Sequence, residues 1–101
     1  MDKSRALKLL QNSREKIDRI DEELLNLISK RIAISRDIIE AKIILDINIL
    51  DAKREADIQK KAIKVARRNN INEESLSKIM QILTDLNKKE QEEFIRRQKN
   101  G

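Results

Sequence analysis

From Ser4 to Leu45 apolar residues recur at helical spacing, with no Pro or Gly to interrupt them. Leu10, Ile17, Leu24, Ile38 and Leu45 share one heptad position, and Ile20, Leu27, Ile34 and Ala41 share a second. The pattern predicts one sustained amphipathic helix. At 1.5 Å per residue its length is on the order of 60 Å, more than a compact domain of this size needs. Asp46-Ile47-Asn48-Ile49-Leu50 breaks the stripe and reads as a connection. Asp51 is then a candidate N-cap, because its carboxylate can accept from free backbone N–H groups. The second helix carries Ala52, Ile58, Ala62 and Val65 and fades at Asn69-Asn70. Asn72 is the next candidate cap, with Glu73 and Glu74 where the helix dipole favours acids. A third helix carries Leu76, Ile79, Met80, Leu83 and Leu86 and is expected to end near Phe94 or Ile95, leaving a frayed tail.

Composition strengthens the all-α reading. The 101 residues include no Pro, and Gly101 is the one Gly, so the turns of a β-protein have no residues to build them. The length suits a single domain, residues 1–101. Charged residues make up 41% of the chain, and helices this long usually bury their apolar stripes against another chain. The absence of Cys and His removes disulfides, thiol catalysis, the usual zinc ligands and imidazole acid–base chemistry. No metal or cofactor is therefore expected. The start of the chain has no apolar core of signal-peptide length and no segment approaches a membrane span, so a cytoplasmic protein is expected. The net charge of +5 suggests an anionic partner. Nucleic acid is disfavoured, since single-strand binders stack bases on aromatics and Phe94 is the one aromatic here.

Polar residues interrupt the apolar stripes at a few positions. Arg31 takes the heptad position otherwise held by Ile17, Leu24, Ile38 and Leu45. A core-facing guanidinium is costly unless an anion meets it. That anion is either an Asp or Glu of a neighbouring helix or a ligand. Ser35 and Lys42 follow four and eleven residues on, and eleven residues is close to three whole turns, so the three share a face. Lys42 by itself also reads as a solvated lysine. On the third helix Asn87 and Gln91 lie one turn apart in the continuation of Leu76, Met80 and Leu83. Inward amides need partners. They either fix register by an interhelical contact or line a pocket.

Together these residues resemble the all-α, AroQ-class chorismate mutases. Arg14-Glu15-Lys16-Ile17-Asp18, with Ile20-Asp21 and Leu24-Leu25, is similar to that family's first-helix signature. Lys30-Arg31 through Ala41-Lys42, then Asp51-x-x-Arg54-Glu55, then Gln91, continue the likeness without a gap. The resemblance implies three helices with a very long first one, intertwined in an antiparallel homodimer. It implies rearrangement of chorismate to prephenate, in the Phe/Tyr branch of aromatic amino acid biosynthesis. Arg14 and Arg31 would bind the substrate carboxylates. Lys42 and Gln91 would donate to the ether oxygen of the breaking bond. Glu55, with the backbone near Asp51, would accept from the ring hydroxyl, and Arg54 would add a cation beside the pocket. Asn87 stands where the family often has a small hydroxyl residue.

That chemistry needs no proton abstraction and no covalent intermediate, so a chain without His or Cys can perform it. The enzyme has only to hold a compact reactive conformer and stabilise charge growing on the ether oxygen. Arg14 and Arg31 are seventeen residues apart on one helix, roughly 25 Å along its axis, and Arg14 and Lys42 roughly 42 Å. An Arg side chain reaches only about 7 Å. One straight helix therefore cannot bring all three to one substrate, whereas an antiparallel partner helix can, giving two shared sites per dimer. Two alternatives remain: isochorismate–pyruvate lyase on the same fold, which needs the same cations, and a non-catalytic basic helical interaction module.

Overall fold

A computed structural model describes residues 1–100, which form three α-helices and no strand: α1 (Lys3–Leu45), α2 (Ala52–Arg68) and α3 (Glu73–Asn100). No helix among the described residues is long and apolar enough to cross a membrane. Contacts divide the chain into two units, Met1–Lys30 and Arg31–Gly101.

The first unit is the N-terminal part of α1. Asp2 caps it, its Oδ1 accepting from the Arg5 N–H at 2.8 Å. Its apolar stripe is uncovered: Ile17, Ile20, Leu24 and Leu27 are each between 52% and 56% exposed.

In the second unit α2 and α3 form an antiparallel hairpin. Arg67 pairs with Glu73 near the turn, Gln59 meets Ser77 in the middle, and Glu55 meets Lys88 at the open end. The Gln59 amide donates to the Ser77 carbonyl at 3.1 Å and accepts from the Ser77 hydroxyl, so one side chain clamps the two helices. Ala62 and Ala66 are buried on α2, where small side chains let α3 approach closely. Arg31–Leu45 of α1 contributes Ile39, the one large side chain fully buried among the described residues, and Ser35 one turn before it. Burying an Ile stabilises by roughly 1.5–3 kcal/mol. Arg36 ties this stretch to α3 through Glu90, with Nε 2.7 Å from Oε1.

The helix ends explain how a chain without internal Gly turns. Asp46 and Asn70 both adopt φ of 54°, the left-handed conformation that Asp and Asn tolerate better than other non-Gly residues. Beyond α1 the Ile47 N–H donates to the Lys42 carbonyl and the Asp46 N–H to the Ile43 carbonyl, a Schellman cap. Beyond α2 the Ile71 N–H donates likewise to the Ala66 carbonyl. Asp51 and Asn72 then cap α2 and α3, their side chains accepting from the Arg54 N–H at 3.0 Å and the Ser75 N–H at 2.8 Å.

One boundary differs from the sequence expectation. Instead of ending near Phe94 or Ile95, α3 continues to Asn100. Arg96 through Asn100 contain neither Pro nor Gly, and Arg96 pairs with Glu93 one turn back, so nothing stops the helix.

Candidate active site

A cleft of about 400 Å³ lies within the second unit, walled by the C-terminal part of α1, the connection to α2 and the α2–α3 hairpin. Each wall gives it polar groups. α1 supplies Arg31, Ser35 and Lys42; the Asp51 cap and the first turn of α2 supply Arg54 and Glu55; α3 supplies Asn87, Lys88 and Gln91. Ile34, Ile38, Ile49, Leu50 and Ile58 give it apolar surface. A neighbouring cavity of about 430 Å³ shares Arg31, Arg54 and Ile58 with it.

The expected face of α1 is formed. Ser35 is buried, and its hydroxyl donates to the Ile32 carbonyl at 2.7 Å. Lys42 is half-buried, and its ammonium donates to the Ile49 carbonyl at 3.1 Å. It is therefore a fixed cation and not a solvated lysine. Arg31 is half-buried, with Nη1 shielded from solvent and without a hydrogen-bond partner. No carboxylate of the described residues pairs with it, so the pairing with an Asp or Glu of a neighbouring helix is not formed among them. A shielded guanidinium nitrogen without an acceptor is costly. An anion entering the cleft would supply the acceptor.

Asn87 and Gln91 are both half-buried on the cleft side of α3. Neither side chain hydrogen-bonds to another side chain among the described residues, so they remain available as donors. Glu55 is engaged. Its Oε1 is shielded from solvent and forms an ion pair with the Lys88 ammonium, a contact without the alignment of a good hydrogen bond. That contact with Glu55 holds the Lys88 pKa above the ordinary lysine value; partial burial works against it, while the charges of Glu55, Asp85 and Glu92 add to it.

Seven of the eight residues that the family resemblance marks thus line one cleft, Arg31, Lys42, Asp51, Arg54, Glu55, Asn87 and Gln91, and Ser35 lines it with them. Arg14 does not, and it belongs to the first unit. Sequence reasoning passed over Thr84 and Lys88. Thr84 is buried on the cleft wall, its hydroxyl donating to the Met80 carbonyl at 2.9 Å. It lies three residues before Asn87, so helical spacing could have found it. Lys88 sits in the charged run Lys88-Lys89-Glu90, which by itself reads as solvated surface. Among the described residues no group of three or more His, Cys, Asp or Glu is placed to hold a metal ion.

What the cleft can do follows from its charges. Four cations, Arg31, Lys42, Arg54 and Lys88, line it with three carboxylates, Asp51, Glu55 and Glu92, so positive charge is in excess by one, and the two neutral amides of Asn87 and Gln91 add hydrogen-bond donors. Such a lining suits a small, polyanionic molecule carrying oxygen acceptors. The family model described as Chorismate mutase type II matches residues 13–92, a span that runs from Arg14 through Gln91. A chorismate mutase of Methanocaldococcus jannaschii is 36% identical over 91 residues, covering 90% of this chain and 92% of that protein. With cleft, polar set and family match coinciding on the same residues, the chain belongs to the type II chorismate mutases.

Proposed function

We propose that this cleft is where the chain performs the chorismate mutase reaction, the intramolecular rearrangement of chorismate to prephenate. The observation that carries this assignment is Arg31, whose shielded Nη1 has no partner of its own, lining one cleft with Lys42 of the same helix and Gln91 of α3. Arg31 binds a substrate carboxylate, for which the guanidinium fork is matched in shape. Lys42 and Gln91 donate to the ether oxygen as the C–O bond breaks and negative charge grows there. Each such preplaced donor contributes a rate factor of about 10²–10³. Glu55 and the backbone near Asp51 accept from the ring hydroxyl. Arg54 adds positive potential at the rim, and Asn87 offers an amide to a carboxylate in place of a hydroxyl. Holding both ends of the substrate favours the compact reactive conformer. The residues transfer no proton to carbon and form no covalent bond.

We further propose that the working form is a cytoplasmic, intertwined antiparallel homodimer, with residues 1–101 acting as one domain whose site is completed by Arg14 of the second copy. Two observations support it. The stripe through Ile17, Ile20, Leu24 and Leu27 is uncovered on the single chain, and exposed apolar area of this extent calls for a partner. Arg14 is not among the residues that line the cleft of the second unit, and it stands seventeen residues before Arg31 in the sequence.

The test is an ultraviolet assay of chorismate loss by purified protein, before and after exhaustive chelation. Turnover that survives chelation and disappears in Lys42→Ala is expected. Turnover lost on chelation and restored by one metal would contradict the mechanism.

A further inference from the structure

Lys88 is, with Glu92, one of the two charged groups of the cleft that the roles above leave unused. It lies on α3 between Asn87 and Gln91, and its ammonium reaches across to Glu55 in the first turn of α2. We propose that Lys88 is a positioning residue for the reaction: by holding Oε1 of Glu55 it fixes the direction of the carboxylate and leaves Oε2 to accept the substrate's ring hydroxyl. The inference rests on the role given to Glu55 above.

Three features support it. First, Glu55 Oε1 is shielded from solvent and has no aligned donor, so the Lys88 ammonium is what compensates it. Without that cation the oxygen would turn toward water or toward Arg54. Second, no hydrogen bond among the described residues takes Oε2. A carboxylate has two acceptor oxygens, and here one is committed and the other is open. Third, the pair joins two helices at the cleft. The Asp51 cap sets where α2 begins, and the Lys88 contact sets where its Glu55 side chain goes. A lysine ammonium is charged at neutral pH, and the contact with Glu55 favours the charged form further.

The roles differ in kind. Lys42 is held by a backbone carbonyl and has donor positions left for substrate, since an ammonium carries three. The Lys88 contact is to an acid of the same cleft. A residue acting through Glu55 must lose its effect when Glu55 is removed, and contacting residues show such coupling in double-mutant cycles.

The experiment is a cycle of Lys88→Met, Glu55→Gln and the double variant, each checked for helicity and assembly, with kcat and KM measured on chorismate. Lys88→Met keeps the apolar stem, and Lys88→Gln repeats the cycle should the methionine variant fail to fold. Lys88→Met is expected to lower kcat/KM by roughly tenfold to a hundredfold, within the range of coupling between side chains in contact. In the Glu55→Gln background the same substitution should cost less than threefold, and Lys88→Arg should recover most of the activity. If the two losses multiply in full, Lys88 acts on the substrate itself or elsewhere, and the inference is overturned. A costly Glu55→Gln beside a silent Lys88→Met overturns it also, leaving the Glu55 role intact. Wild-type activity in Glu55→Gln would remove the Glu55 role and this inference together.

Discussion

The Lys42 ammonium donates to the Ile49 carbonyl at 3.1 Å, so the side chain at the end of α1 is tied to the connection that leads into α2. The backbone of Lys42 takes part as well, its carbonyl accepting the Ile47 N–H in the Schellman cap. One residue therefore ends the long helix, holds the connection and presents a cation to the cleft. A donor anchored before substrate arrives need not be reorganised during the reaction.

Arg31→Ala should lower kcat/KM by at least about a hundredfold, the loss expected when one partner of a buried charge pair is removed. Far-ultraviolet circular dichroism should be unchanged, because Arg31 has no side-chain partner among the described residues that its removal would orphan. Normal turnover by this variant would make Arg31 structural and remove the assigned anion site.

Gln91→Glu places a carboxyl where a neutral donor is required. Protonated, it can donate to the ether oxygen; ionised, it accepts only and repels the developing charge. An unperturbed Glu has a pKa of about 4.3. The protonated fraction, and with it the activity, should fall as pH rises through the variant's pKa. A pH–rate profile as flat as that of the parent would mean that Gln91 does not contact the reacting oxygen.

Asp51→Ala should destabilise the fold by about 1 kcal/mol, the usual loss for an N-cap whose side chain accepts from the third helical residue. It should also reduce activity, since Arg54 and Glu55 ride on the turn that Asp51 caps. Asp51→Asn, also a good cap, should restore the thermal midpoint. An Asn variant as unstable as the Ala variant would show that charge and not capping is what Asp51 contributes.

The apolar periodicity carried the helices, because α1 and α2 each keep a stripe and their ends are marked by Asp46, Asp51 and the Asn69-Asn70 pair. The cleft was legible at Arg31, Lys42, Asn87 and Gln91, where polar residues sit on an apolar face and are expensive without a partner. Lys88 was not legible, because among neighbouring charges a lysine that turns inward looks like those that turn out. The end of α3 was not legible either. Helix formers continue past Phe94, so the fading of the apolar pattern marked the end of burial and not the end of the helix. The buried pair Ser35 and Ile39 shows a further limit: the heptad stripe named Ile34 and Ile38, yet these are more than 40% exposed while their neighbours one step on are covered. A stripe read for pairing with another chain does not report which face the chain's own hairpin covers.

Whether each site is shared between two copies is tested by complementation between Arg14→Ala and Lys42→Ala. Each homodimer should be nearly inactive. After the two are unfolded and refolded together, random pairing in the proposed two-fold dimer makes about half the dimers mixed. Each mixed dimer holds one intact site and one doubly damaged site. Activity should return to about a quarter of the parent value per total site. No recovery, with mixed dimers confirmed by native mass spectrometry, would show that Arg14 serves its own chain or has no part in the site, and would contradict the shared cleft.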